Sequence, residues 1–345
     1  MTVSPLFLWL GRYTTSDNLG LSRCMLVNDT GQFEQTYSST EIQNPSYICT
    51  SSSNTYCVSE LSKHDAASLH RLDESGNEQQ TVPLGGDYPC HVSLSHNKRW
   101  LAIAHYGTAT FEIFSVQPSG EIGVRAFYWQ NVGSSVNQSR QEAAHGHQIV
   151  FAPENTVVTV DLGIDALHFY TLDDTGDTPA LDLQQTLEMP LGSGPRHVVF
   201  TQNGLKGYVV CELTEQLCVI EKTLEGYWQV IHVLDAFPEH EENGQAAGAI
   251  KLSPDEKFVY LSGRAQSVIS WFDITSSQTP QYRGYVSSGG DFPRDFEITP
   301  DGQWMVISNQ HSHNVVSLKM NLLTGQPGEQ KGQLELNQPV CVVCH

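Results

Sequence analysis

The stretch FPRDFEITPDGQWMVISNQ, residues 292–310, reads as two short apolar strands around a polar turn. FEI and MVI are too short for buried helices, and the TPDG between them supplies Pro, Asp and Gly, which provide the dihedrals of a tight hairpin. The same plan recurs in NPSYICTSSSNTYCVSEL (44–61), YPCHVSLSHNKRWLAIAHY (88–106), HGHQIVFAPENTVVTVDLG (145–163), GPRHVVFTQNGLKGYVVCEL (194–213) and AGAIKLSPDEKFVYLSGR (247–264). Each has an apolar strand, a polar turn, a second apolar strand and then a polar or charged residue. A third, alternating strand follows, as in TATFEIFSV (108–116) and QSVISWFDI (266–274).

The units are anchored at Pro45, Pro89, His145, Pro195, Ala247, Pro293 and Pro339, with a mean spacing of about 49 residues between the first and last. Seven such periods account for all 345 residues. Repeats of this length with four strands each predict an all-β fold, a seven-bladed β-propeller of four-stranded antiparallel blades, forming one domain over 1–345. The last anchor leaves room for a single strand. Its partners must be the N-terminal segments LFLWLGRY (6–13) and LSRCMLVND (21–29), so the two chain ends close the ring and remove a free edge.

That closure settles how to read the final five residues, CVVCH (341–345). C-x-x-C-H is a haem-attachment pattern, and Cys341, Cys344 and His345 are also three zinc-ligand types. QPVCVVCH nevertheless aligns with the strand starts YPCHVSL and GPRHVVF, which makes it the innermost strand of the closing blade. No second cysteine–histidine knuckle completes a zinc site. The N-terminal run Pro5–Leu10 has neither a basic lead nor a small-residue cleavage site, so it reads as a strand. A cytoplasmic protein is expected, with its eight cysteines reduced. Cys49/Cys57 and Cys211/Cys218 then read as small buried apolar residues.

Composition narrows the partners. With 38 acidic against 18 basic residues the net charge is −20, which repels nucleic acid and anionic membranes. No segment has the length of a membrane span. The expected partner is a small molecule, bound by a monomer or a weak homodimer. An anionic ligand needs a local group of arginines.

Antiparallel first and second strands bring the start of one and the end of the other to the same rim. First-strand starts carry His91, His145, His147, Arg196, His197 and Arg294. Second-strand ends carry Arg12, Glu60, His105, Tyr106, Asp161, Glu212, Arg264, Asn309 and Gln310. The opposite rim carries turn residues such as Asn97, Asp255 and Asp301. Polar groups converging on one mouth are the pattern of a small-molecule site.

Within that set, Glu212 after the apolar YVVC is the general-base candidate. His145 and His147 with Asp161 have the composition of a two-histidine, one-carboxylate metal set, or of a metal-free hydrogen-bonding rim. GSGPRH (192–197) has the glycines of a phosphate loop but neither GK[ST] nor a following helix, so it reads as a flexible turn placing Arg196 and His197. SSVNQSRQEAA (134–144) is a long loop expected to overhang the mouth, and PEHEEN (238–243) a solvated acidic run.

GRYTT (11–15), SELSKHD (59–65), YPCHVSLS with AHYGTA, HGH with VDLGIDALHFY, GSGPRHVVF with YVVCEL, LSPDEKFVYLSGR, and FPRDFEITPDG with ISNQHSHNVV together resemble the lactonase-type seven-bladed propellers. That group includes one class of bacterial 6-phosphogluconolactonase and the fungal carboxy-cis,cis-muconate cyclase. The likeness covers essentially the whole chain. It implies a lactone hydrolase acting on a sugar-acid lactone, foremost 6-phosphogluconolactone, without metal or cofactor. His145, His147, Arg196, His197, Glu212, Arg264, Arg294 and Gln310 match positions that the family keeps at its cleft.

The expected catalytic set is therefore Glu212, Arg196, His145, His147 and Arg264; the expected substrate-binding set is His197, Arg294, Gln310, Asp161 and Tyr106. Glu212 activates water, Arg196 and His197 stabilise the oxyanion, and Arg264 and Arg294 hold a phosphate or carboxylate. The same residues suit a muconate-type cyclisation, and a propeller face can instead bind a protein without catalysis.

Overall fold

A computed structural model describes residues 6–15, 20–38, 42–175, 178–237, 243–276 and 279–345. Residues 238–242 of the acidic run lie outside the described residues. The described strands form seven four-stranded antiparallel sheets, each a simple up-and-down meander, as the repeat predicts.

The sheets fall in two compact units. Residues 47–233 carry four of them: Pro45–Thr50 to Glu78–Pro83, Pro89–Leu94 to Ile122–Gln130, Gly146–Ala152 to Ala180–Glu188, and Pro195–Phe200 to Trp228–Asp235. Residues 1–46 and 234–345 carry the other three. One of these joins Leu6–Arg12, Ser22–Leu26 and Phe33–Ser38 to the C-terminal strand Pro339–Cys344. Leu8 faces Cys344 and Gly11 faces Cys341, so the C-terminal cysteines sit in the closing strand, as their alignment predicts. Val340, Cys341 and Val342 are buried there.

Strands such as Asn54–Ser59, Trp100–His105 and Thr156–Asp161 are buried on both faces because the sheets stack, whereas outer strands such as Glu78–Pro83 are largely exposed. Val158, Val160, Leu167 and Phe169 of one sheet pack with Val198, Val209, Cys211, Cys218 and Ile220 of the next. Each large side chain so buried contributes about 1.5–3 kcal/mol. Cys211 and Cys218 place their sulfurs 3.6 Å apart inside this cluster as free thiols.

The hairpin turns are held by their own side chains. Asn97 accepts from the Arg99 N–H, Asp255 from Ser253 Oγ, and Asp301 from Thr299 Oγ1 and the Gln303 N–H. These local bonds are why Asx residues recur at that point of the repeat. Among the described residues no helix is long and apolar enough to cross a membrane.

The other end of each hairpin has a recurring irregularity. Pro195 faces Cys211 but His197 faces Val210, leaving Arg196 unopposed. Cys90, His147 and Arg294 are unopposed in the same way in their sheets. These are β-bulges, which bend a strand and re-aim one side chain. The residue before five of the anchor prolines (Asn44, Tyr88, Gly194, Phe292 and Gln338) has positive φ, which turns the chain sharply into the strand. In four of these its carbonyl accepts a hydrogen bond from the first residue beyond the second strand: Tyr88 from Tyr106, Gly194 from Glu212, Phe292 from Gln310 and Gln338 from Tyr13.

Candidate active site

The bulge and the position just beyond the second strand are where the expected site residues gather. In the unit spanning residues 47–233, Glu212 occupies the post-strand position and Arg196 the bulge of the same sheet. Their side chains pair, Arg196 Nε to Glu212 Oε2 at 3.1 Å. His147, at the bulge of the preceding sheet, brings Nε2 to 3.9 Å from the same oxygen. The Arg196 guanidinium lies 3.3 Å from both ring nitrogens of His197. Glu212, Arg196, His147 and His197 are all less than 7% exposed.

Aromatic rings extend the cluster on both sides. His197 makes edge contacts with His147 (centroids 5.3 Å) and His91 (5.5 Å), and Tyr47 lies 4.3 Å from His91. On the other side Tyr106 stacks on His145 at 4.5 Å, and His145 Nδ1 is 3.0 Å from the Tyr106 carbonyl oxygen. That distance fits a proton on Nδ1, which leaves Nε2 to face Glu142 at 3.4 Å. Burial raises the Tyr106 phenol above its ordinary pKa, against the pull of Arg140.

Arg140 is the member of this cluster that the repeat does not reveal. It stands on the 134–144 loop and donates to Glu212 Oε1 from Nη2 at 2.6 Å. The overhanging loop is its only signal in the sequence, since no strand periodicity reaches it. Burial works to lower the Arg140 guanidinium, and the Glu212 carboxylate more than offsets this, leaving it above its ordinary value.

The loop is tied down rather than loose. Gln141, fully buried, donates to the Leu162 carbonyl and to Asp165 Oδ1, at 2.9 and 2.7 Å. Ser135 Oγ donates to Asp165 Oδ2 at 2.5 Å. The same carboxylate accepts from the N–H groups of Gly192 (2.7 Å) and Gly194 (2.8 Å). The GSGPRH turn is therefore not the flexible segment expected from its glycines. Its amide groups hold an internal anion, Asp165, where a phosphate loop would hold a ligand.

Asp161 is not brought to the cluster. Its carboxylate is buried and accepts from the N–H groups of His145 (2.8 Å) and Gly163 (3.0 Å) and from Asn131 Nδ2 (2.9 Å). Burial raises its pKa, while these donors pull it down. The reason is one residue of register. Asp161 faces Gly146 across the hairpin, as Cys211 faces Pro195 and His105 faces Pro89. Successive strand residues point to opposite sides, so Asp161 shares the inward aspect of Cys211 and not that of Glu212. His105 likewise turns inward, 3.0 Å from the buried Glu112. Among the described residues no three His, Cys, Asp or Glu side chains form a metal-ligand group.

Arg264, Arg294 and Gln310 belong to the other unit and hold the corresponding positions of their own sheets. Arg264 donates from Nε to the Ala246 carbonyl at 2.9 Å, with its guanidinium carbon 5.2 Å from the centroid of the Phe292 ring. Arg294 donates to the Tyr13 hydroxyl at 2.7 Å. Gln310 Oε1 is buried and lacks a hydrogen-bond partner among the described residues.

The family model described as Lactonase, 7-bladed beta-propeller matches residues 7–344. The chain belongs to this lactonase family. Its seven four-stranded sheets are the blades of that propeller, with the terminal strands sharing one blade. A relative named 6-phosphogluconolactonase, from Bacillus subtilis, is 28% identical over 97% of each chain. The crystal structure of a proposed 6-phosphogluconolactonase from Bacteroides fragilis is 25% identical, with a TM-score of 0.90 over 100% of this lactonase-family chain and 99% of its own. The periplasmic gluconolactonase of Pseudomonas aeruginosa, 24% identical, shares the fold with a TM-score of 0.87 over 99% of both chains.

Proposed function

We propose that the Glu212 cluster hydrolyses an anionic sugar-acid lactone, with 6-phosphogluconolactone the first substrate to test, and that it does so without a metal. The observation that carries this reading is one nearly buried carboxylate held between Arg196 and Arg140 within 4 Å of a histidine. It places a base candidate beside two guanidinium groups. The names of the relatives support the same chemistry.

Lactone hydrolysis needs a deprotonated water, charge stabilisation at the carbonyl oxygen and a proton for the departing ring oxygen. In this reading Glu212 takes a proton as the water oxygen bonds to the carbonyl carbon. The displaced π electrons settle on the carbonyl oxygen, facing Arg196 and His197. Collapse re-forms the carbonyl, breaks the ring C–O bond and returns the proton to the ring oxygen through Glu212 or His147. Asp161, holding the His145 N–H, acts as a positioning residue for the Tyr106–His145 stack. We place the reaction in the cytoplasm, carried out by a single-domain propeller as a monomer or weak homodimer. A net charge of −20 disfavours self-association without a matched interface.

The test is hydrolysis of 6-phosphogluconolactone, coupled to 6-phosphogluconate dehydrogenase, with EDTA present throughout. Wild type should exceed the spontaneous rate, and Glu212→Gln should lose on the order of 10²–10³ of it, the range for a positioned acid–base or oxyanion group. A well-folded wild type that adds nothing to the spontaneous rate, or a Glu212→Gln variant with full activity, rejects the assignment.

A further inference from the structure

We propose that Arg140 determines specificity for anionic lactones by exchanging its ion pair with Glu212 for one with the substrate's anionic group. The proposal rests on the reading of Glu212 as base. It goes beyond that reading in making the substrate's own charge the signal that frees the base.

Four observations carry it. Glu212 is held by one guanidinium from each side, Arg196 Nε on Oε2 and Arg140 Nη2 on Oε1. The two differ in exposure: the Arg196 side chain is 5% exposed and that of Arg140 is 34%. Arg140 is thus the outward cover of an otherwise buried carboxylate. Its backbone is fixed, with the Gln141 N–H bonded to the Asn137 carbonyl at 2.7 Å and the Gln141 side chain tied to Leu162 and Asp165. What is left to move is a long side chain that is one-third exposed. Finally, the Arg140 charge is felt by the Tyr106 phenol, where it pulls against the rise that burial imposes, so that ring is a neighbour of the guanidinium.

A carboxylate paired to two guanidinium groups is a weak proton acceptor, since each pair favours the charged form over the protonated one. Withdrawing one pair makes it a stronger base. A phosphate or carboxylate on the substrate competes for the Arg140 guanidinium through the bidentate geometry that suits arginine. A neutral lactone has nothing to offer in exchange and meets a covered base. In a chain of net charge −20 the outward cation also supplies the local attraction that an anion needs.

The experiment compares 6-phosphogluconolactone with the uncharged glucono-δ-lactone in wild type, Arg140→Met and Arg140→Lys. The ratio of kcat/KM for the charged over the neutral substrate should fall about ten- to a hundredfold in Arg140→Met, the size of one charge-assisted pair, and less in Arg140→Lys. The acid limb of kcat/KM for glucono-δ-lactone should move to higher pH in Arg140→Met, because the uncovered carboxylate binds a proton more readily. A structural role for Arg140 would instead depress both substrates alike, leaving the ratio and the limb in place, and that result overturns the proposal. Calorimetric titration with glucitol 6-phosphate and uncharged glucitol reads Arg140 independently of turnover. If wild type hydrolyses neither lactone but Arg140→Met loses its preference for the phosphorylated polyol, the lactonase reading fails and the anion-selecting role stands. If wild type shows no preference between the two polyols, the role of Arg140 fails.

Discussion

Asp165 holds the candidate site together, and replacing it with alanine tests how firmly. Its carboxylate, 2% exposed, accepts from Ser135 Oγ, Gln141 Nε2, Ser193 Oγ and the N–H groups of Gly192 and Gly194. The two hydroxyls can rotate toward other acceptors, whereas the two backbone N–H groups and the buried Gln141 amide cannot. Each donor left unsatisfied costs about 1–3 kcal/mol. Water admitted to the space once filled by the carboxylate restores part of the bonding. The expected loss for Asp165→Ala is about 3–5 kcal/mol. At about 2.1 cal/mol/K per residue, a 345-residue chain that unfolds cooperatively loses about 4–7 °C in Tm.

The assay is urea denaturation followed by tryptophan fluorescence, with hydrogen exchange measured at residues 133–141 and 190–194. Exchange should accelerate in both segments together, because one carboxylate ties both. Asp165→Asn keeps one acceptor but turns an N–H₂ toward the remaining donors, and so should fall between wild type and alanine. A loss below about 1 kcal/mol with unchanged exchange in both segments would falsify the view that this carboxylate fixes the Arg140 loop to the Arg196 turn.

Two further outcomes concern stability. Burial lowers the pKa of His70 and of His168 below the ordinary 6.5, against the pull of Glu78 and Asp161 respectively. The unfolded chain therefore takes up protons near pH 6.5 that the folded rings refuse. Stability should be full above that pH and fall as pH drops toward the folded values, by up to about 1.4 kcal/mol per pH unit for each ring. Urea midpoints between pH 7.5 and 5.5 check this, and His70→Gln should flatten part of the slope; midpoints that stay level or rise on acidification contradict it. Deleting residues 340–345 removes the buried Val340, Cys341 and Val342 from the shared blade, a loss of about 5–8 kcal/mol. A truncated chain that keeps a wild-type urea transition would show that the terminal strand contributes little to that blade.

The architecture is legible because each hairpin carries its own instructions. Asn97, Asp255 and Asp301 bond their own turns, so the repeat can be seen without knowledge of any distant contact. The closing strand is legible for the same reason: QPVCVVCH has the outline of every other strand start, and its pairing with Leu6–Arg12 follows. The site is legible to within about one residue along each strand. Glu212, Arg196, His147 and His197 come together as the strand ends predict, whereas Asp161 and His105, one step earlier in register, turn inward. Arg140 lies in a segment with no period, and only its long-range pairing with Glu212 gives it meaning.

The β-bulge explains why a repeat built for stability can present chemistry. A regular hairpin would keep every residue opposed, and the alternation that buries Cys211 and Val209 would fix the direction of each neighbour. One extra residue at the strand start interrupts that rule without touching the core pairs beyond it. Arg196 and His147 occupy this position, as Cys90 and Arg294 do in their own sheets. The position holds arginine, histidine or cysteine; no residue faces it across the ladder, so it is free of the cross-strand pairing that fixes Val198 and Val210, although Arg196, His147 and Cys90 are themselves buried. A one-residue insertion is invisible to a period read in steps of about 49, yet it decides which of two adjacent side chains is re-aimed toward the Glu212 cluster. Variation in chemistry on this scaffold is therefore expected at the bulge and at the residue just beyond the second strand, where Glu212 stands, and not along the strands themselves.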